Sequence, residues 1–388
     1  MKKLFRNFLL TLMGVVLLTG KAYATHAGIG HDLEEHLEFF KDIEIHAFAA
    51  SSYSYNTNNP SDRTNALRVF DTDDNTFKFD AGELVLLKDA EPGDAGFRFD
   101  LSFGFSQPDV NKSAPDPNVT VPGQGTFSVN REDFDVQQGY VTYNAPIGNG
   151  LVIDAGKFIT HVGTELMDGY DGFNYNISRS WGFKYGPFTH TGIRASYTFN
   201  DKLSVLAMLS NSWDTSVDDN AGKVWGAQVA LTPFAGVSIY ANWVGGLEQS
   251  AGVTDGWRDL FDMVINVELT DSTLLNIDVL HGSMTNGVVV GDDANWWGFS
   301  GILRQGINKW LFVSFRGEFF NDDDGFRSGT PQELYSFTFT PEAQLTKNFV
   351  FRAEFRHDHS DKLAFGNRDG ANQSNTQNTL AAQAIFFF

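Results

Sequence analysis

The sequence contains no cysteine in 388 residues. That absence excludes disulfide scaffolds, cysteine-ligated zinc and iron–sulfur clusters, and leaves no site for a lipoprotein anchor. Positive charge is scarce as well. Only 28 Lys and Arg stand against 48 Asp and Glu, a formal −20 with a pI near 4.7. A nucleic-acid binder needs a basic face to neutralise phosphates, so that class is excluded. Beyond the N-terminus no apolar run reaches the ~20 residues a membrane-spanning helix requires, which excludes a helical membrane protein. Aromatic residues, by contrast, reach 14%, and 36 of them are Phe. The mean hydropathy of −0.23 resembles a soluble protein until the order of the residues is considered.

Residues 1–24 read as a cleaved signal peptide. Lys2, Lys3 and Arg6 form a basic start, Phe8 to Leu18 an apolar stretch, and Ala22-Tyr23-Ala24 places small residues where a peptidase reads. Residues 25–42 form a short segment on the periplasmic side, with Leu33, Leu37 and Phe40 at helical spacing. A short helix, a plug-like extension and an unstructured lead-in all fit it. From Thr25 onward 24 basic residues face 48 acidic ones.

From residue 43 to 388 the pattern is two-residue alternation. In 97–105 Phe97, Phe99, Leu101, Phe103 and Phe105 alternate with Arg98, Asp100, Ser102 and Gly104. Successive strand side chains take opposite faces, so one face is Phe-rich and the other polar. The same holds around Arg194 and Ser196, Ser314 to Glu318, and Arg352 to Asp358. About 16 such segments are present, and 80–86 breaks phase at Ala81-Gly82 in the manner of a bulge. Short links such as 145–149, 200–201 and 343–346 alternate with long polar ones. The long ones are 55–75, 108–133, 161–186, 214–222, 247–256, 284–294, 321–331 and 359–375. This rhythm predicts an all-β, up-and-down antiparallel transmembrane barrel of about 16 strands, with short periplasmic turns and long extracellular loops.

In lipid only a helix or a closed barrel satisfies its own backbone, so the Phe-rich face belongs outside and the polar face inside. A barrel this wide leaves a water-filled channel. Arg98, Asp100, Arg194, Arg304, Arg316, Glu318, Arg352, Glu354 and Arg356 are then expected on the lumen wall. The final strand ends with Leu380, Ala382, Ala384, Phe386 and Phe388 at alternate positions. Its terminal aromatic is the kind of signal that outer-membrane barrel assembly machinery reads.

Several strings resemble the OmpL-like putative beta-barrel porin family of Gram-negative outer membranes. They include Gly156-Lys157-Phe158, Gly163-Thr164-Glu165, Asn174 to Ser180, Pro187 to Gly192, Asn211 to Asp214, Arg316-Gly317-Glu318 and Arg352 to Arg356. The resemblance implies an outer-membrane channel for passive diffusion of small hydrophilic solutes or ions, and names no solute. By analogy with general porins, the third long loop folds inward. There Glu165, Asp168 and Asp171, with Arg179, would face wall arginines and set a transverse field. Expected partners are outer-membrane lipid, lipopolysaccharide, the assembly machinery and diffusing solutes, with a homotrimer by analogy. Acidic loops favour cations and wall arginines anions, so solute preference stays open.

The rival classes are an enzyme in a barrel and a blocked, adhesin-like surface barrel. His190 and Ser196 share a face but lie roughly 20 Å apart along a strand. No Gly-x-Ser-x-Gly elbow occurs, and no catalytic residues are expected. His26, His31 and His36 do not stack on one helical face, and Asn321 to Gly325 lacks the closing Glu of a calcium loop, so neither a metal nor a cofactor is expected.

Overall fold

The computed structural model describes residues 42–104, 118–121, 125–128, 134–218, 220, 222–250, 253–289 and 292–388. The signal-peptide reading of 1–24, the segment 25–41 with its three histidines, and residues 105–107 of the third strand lie outside the described residues.

The chain runs β1 (Glu44–Asn56), β2 (Thr76–Lys88), β3 (Ala95–Phe103), a small hairpin of β4 (Asn118–Val121) and β5 (Gly125–Ser128), then β6 (Phe134–Ala145) and β7 (Leu151–Ile159). After a one-turn helix α1 (Trp181–Tyr185) come β8 (Thr189–Asn200), β9 (Leu203–Ser210), β10 (Val224–Phe234), β11 (Val237–Ser250) and β12 (Val253–Thr270). The remainder is β13 (Thr273–Val289), β14 (Asp292–Gly306), β15 (Leu311–Asp322), β16 (Gln332–Thr346) and β17 (Phe349–Ser360). A second hairpin, β18 (Phe365–Asn367) and β19 (Gly370–Ser374), precedes β20 (Thr376–Phe387). All except the two hairpins form one closed barrel of 16 strands, each antiparallel to its neighbours, with β20 pairing β1 to close it.

Alternation decides which way each residue points. On β15 to β17 the outward Phe337 and Phe351 are 46% and 45% exposed, whereas the inward Arg316, Thr338 and Arg352 are 0%. The phase break in β2 is a bulge: Ala50 pairs with Ala81, but Ser51 pairs with Phe79, leaving Asp80 unopposed. One extra residue turns both Asp80 and Glu83 to the inside, where both are buried.

Two of the expected long loops are strand instead. Leu247 pairs with Trp257, Glu248 with Gly256 and Ser250 with Val253, so β11 and β12 stay paired to those ends, and β13 and β14 likewise run on to Val289 and Asp292. The Gly- and Asp-rich composition of 247–256 and 284–294 reads as loop, yet backbone pairing across a hairpin overrides propensity.

The barrel is not hollow at its long-loop end. Inward residues of β7 and β9 to β16, among them Phe158, Met208, Leu260, Trp296, Phe320 and Leu334, pack around Trp181 and Tyr185 of α1. Gly282 on β13 makes this possible, because a Cβ there would lie 2.2 Å from the Trp296 indole.

Candidate functional site

The loop of residues 160–188, between β7 and β8, lies inside the barrel and crosses it. At its start Gly163 N–H donates to Asp262 Oδ2 on β12 (3.0 Å), and Thr164 N–H to Asp278 Oδ2 on β13 (3.1 Å). Further on, Tyr170 N–H donates to Glu83 Oε2 on β2 (2.7 Å), and Asp171 accepts from Arg98 on β3 (2.5 Å). In the ring of 16, β2 and β3 stand diametrically opposite β12 and β13. The loop therefore spans the full width of the lumen.

Its return path runs along β15 to β17. Ile177 and Ser178 donate their N–H groups to Glu354 (2.5 and 2.9 Å), and Asn176 Nδ2 donates to Thr340 Oγ1 (2.7 Å). Glu318 Oε2 accepts from Trp181 N–H at 2.9 Å, at the first residue of α1. Ser180 caps that helix through its side chain, accepting from Phe183 N–H at 3.1 Å. A segment with so few backbone partners of its own is held by wall carboxylates, because each buried N–H must find an acceptor.

All the wall residues expected from the sequence face inward, and most are committed to this loop or to a neighbour. Arg316 donates to Glu165 (2.7 Å), Glu318 (2.8 Å) and Ser178 O (2.6 Å). Arg352 donates to Asp168 (3.1 Å), Gln383 (2.7 Å) and Asn174 O. Arg356 donates to Asp358 (2.6 Å) and Arg179 O (2.5 Å). Arg304 pairs with Glu342 (2.6 Å) beneath Tyr175 of the loop. Arg194 pairs with Asp154 (2.8 Å), and Arg98 with Asp100 (2.8 Å). Arg179 itself bonds Asp168 at 3.0 Å.

Two expectations change here. Arg316, Arg352 and Arg356 face the lumen but touch no open water, since the loop lies over them at 0% exposure. The three loop acids meet their arginines in direct contact, so no water gap separates them for a transverse field to cross. His190, weighed above as a nucleophile's partner, bonds Thr160 Oγ1 at 3.1 Å and so helps fasten the loop's origin. Asp322, at the would-be calcium loop, accepts from Arg327 N–H (3.0 Å) and Ser328 N–H (2.6 Å) and caps its own turn.

Sequence reasoning missed a second inward segment, the first long loop, residues 57–75. Arg68 there donates to Asp358 (3.0 Å), Asp71 (2.6 Å) and Thr379 Oγ1 (2.9 Å). Its carbonyl accepts from Lys184 Nζ (2.7 Å), and Leu67 O accepts from Trp181 Nε1 (3.2 Å), which ties the two loops together. Nothing in 57–75 but its length and two arginines, Arg63 and Arg68, signals this. Arg327, in the turn after β15, likewise reaches in over Tyr185, Trp213 and Trp296, and burial brings its guanidinium down to about 10. Between the two loops and the wall of β1, β2, β3, β6 and β20 lies a small cleft of about 40 Å³, lined by Ser52, Asp71, Asp80, Glu83, Asp168 and Gln383 among others.

A closed barrel of 16 antiparallel strands, apolar outside and polar within, with a loop folded across its lumen, is an outer-membrane porin architecture. The chain belongs to the family described as putative beta-barrel porin-2, OmpL-like, whose model matches residues 42–388. No curated protein matches it in sequence. Solved structures share the fold. The anion-selective porin from Comamonas acidovorans is 11% identical with a TM-score of 0.60, over 89% of this chain and 99% of that one. The outer membrane channel DcaP of Acinetobacter baumannii is 12% identical with a TM-score of 0.58, over 89% and 97%. The trimer form of OmpT from Vibrio cholerae is 11% identical with a TM-score of 0.57, over 89% and 99%. Family and fold are those of a channel rather than an enzyme.

Proposed function

We propose that this protein is exported to the outer membrane and there forms a water-filled channel for passive diffusion of small hydrophilic solutes or ions, narrowed by the loops of residues 160–188 and 57–75. The observation that carries this reading is the cleft left beside the internal loop, bounded by Ser52, Asp80, Glu83 and Ser102 of β1 to β3. The wall carboxylates and arginines hold the loop in place, and the loop sets the width of the path. Partners in this reading are outer-membrane lipid, lipopolysaccharide and the barrel assembly machinery, and the OmpT trimer suggests a homotrimer here.

One observation favours a second reading, a closed barrel serving as a surface protein. The apolar packing of Trp181, Tyr185, Trp296 and Phe320 seals part of the long-loop end. Single-channel recording of purified protein in a planar bilayer separates the two. Discrete conductance steps are expected, and their absence across independent preparations would leave the closed barrel standing.

A further inference from the structure

We propose that the path through this barrel is eccentric, running along β1, β2, β3, β6 and β20, and that it prefers cations. The inference rests on the channel reading above.

Geometry limits where water can go. The apolar packing fills the long-loop end beneath β7 and β9 to β16, and α1 belongs to it. The internal loop is bonded to β15, β16 and β17 at Glu318, Thr340 and Glu354, so that side is sealed as well. Among the described residues, the cleft against β1, β2, β3, β6 and β20 remains.

Charge then decides what enters. Four carboxylates line the cleft, Asp71, Asp80, Glu83 and Asp168, against one cation, Arg179, which is bonded to Asp168. Asp80 accepts only from the neutral Ser52 Oγ (2.7 Å) and Gln383 Nε2 (2.8 Å), and Glu83 only from a backbone N–H. Neither is within ion-pair distance of a cation among the described residues. Lys78, the nearest lysine on β2, is turned up to Phe70 O and Asp73. Asp71 spends one oxygen on Arg68, while its Oδ1 has no hydrogen-bond partner although the residue is 8% exposed.

The wall arginines do not offset this. Those of β15 and β17 are covered by the internal loop, and Arg98 is divided between Asp100 and Asp171. Where they are ionised, carboxylates lacking a fixed countercharge create a negative potential in a narrow cleft, and a mobile cation that enters it favours their ionised form.

The test is the reversal potential of single channels in a planar bilayer under a tenfold KCl gradient (roughly 58 mV for perfect selectivity), for the wild type and for Glu83→Gln with Asp80→Asn. Glu83→Gln keeps an acceptor for Tyr170 N–H, and Asp80→Asn keeps one for Gln383 Nε2 while its amide can donate to Ser52 Oγ in place of the bond Asp80 accepted. The wild type is expected to show a severalfold preference for K⁺ over Cl⁻, and the double variant to lose most of it. A wild-type preference for Cl⁻, or none, overturns the inference while leaving the channel reading intact. A K⁺ preference that the double variant retains overturns its assignment to this cleft. No conductance at all overturns the channel reading, and this inference with it.

Discussion

Arg316 on β15 and Glu165 on the internal loop lie 2.7 Å apart, 151 positions apart in sequence, and neither side chain is more than 2% exposed. The pair is the midpoint of a chain of contacts that also takes in Glu318, Ser178 and Arg356. Two charges removed from water are stabilised by each other and by the remaining hydrogen bonds, so loss of one strands the other. Glu165→Ala is expected to cost about 3–5 kcal/mol, read as a shift in the urea midpoint of protein folded into lipid vesicles. Glu165→Gln retains an acceptor for Ser180 N–H (2.7 Å) and should cost less. Both should raise single-channel conductance, because the loop is then held less firmly across the lumen.

The outward and inward faces differ in what they tolerate. Phe337 is 46% exposed on the outer face of β16, and its neighbour Thr338 is fully covered within. Phe337→Arg places a charge in hydrocarbon and is expected to destabilise by ~2–4 kcal/mol if near the midplane. Thr338 meets only a long contact from Arg316 (3.4 Å), so Thr338→Ser should change stability little. Equal costs for the two, measured by the same urea titration, would contradict the assignment of faces.

Barrel, facing and most strand positions were legible because alternation is a local signal: Phe315, Phe337, Phe351 and Phe355 announce their face by their spacing alone. The interior was less so. Trp296, Phe320 and Leu334 occupy inward positions near the long loops, where the polar half of the alternation lapses, and only the loop packed against them explains why. The bonds from Arg68 to Asp358 and Thr379 join residues 290 and 311 positions apart, a relationship no local pattern encodes. Charge type in the loop was visible at Glu165, Asp168 and Asp171. That these acids touch their arginines, instead of facing them across water, depends on how deep the loop inserts.

His161, two residues beyond β7, gives the internal loop a pH dependence. Its Nε2 donates to Trp243 O at 3.3 Å, and burial holds its pKa below the ordinary histidine value, the nearby Arg194 pushing the same way and Asp262 opposing. The neutral ring is thus favoured in the folded state. Below about pH 6.5 the unfolded chain takes up a proton that the folded one refuses, so stability falls as pH falls through that range. His161→Gln keeps a donor for Trp243 O and cannot titrate. The wild type should lose more stability than this variant between pH 7.5 and pH 5, as judged by urea midpoints at the two values. Identical losses would show that another group carries the slope.

The seam of the barrel is closed at Phe388. Phe388 N–H donates to Ala47 O and Phe388 O accepts from Ala47 N–H, both at 3.0 Å, while Phe386 on the outer face is 47% exposed. Deleting Phe388 leaves two backbone groups of β1 without their partners at the point where β20 meets it, at about 1 kcal/mol each. Phe388→Ala retains both bonds and removes only the ring. If the aromatic at 388 is read during assembly, Phe388→Ala should be depleted from the outer-membrane fraction of expressing cells, whereas the deletion still ends on an aromatic, Phe387, and should be depleted less. The order should reverse in vitro, with Phe388→Ala refolding into vesicles nearly as well as the wild type and the deletion refolding less well. An alanine variant that assembles normally in cells would confine the residue's role to closing the seam.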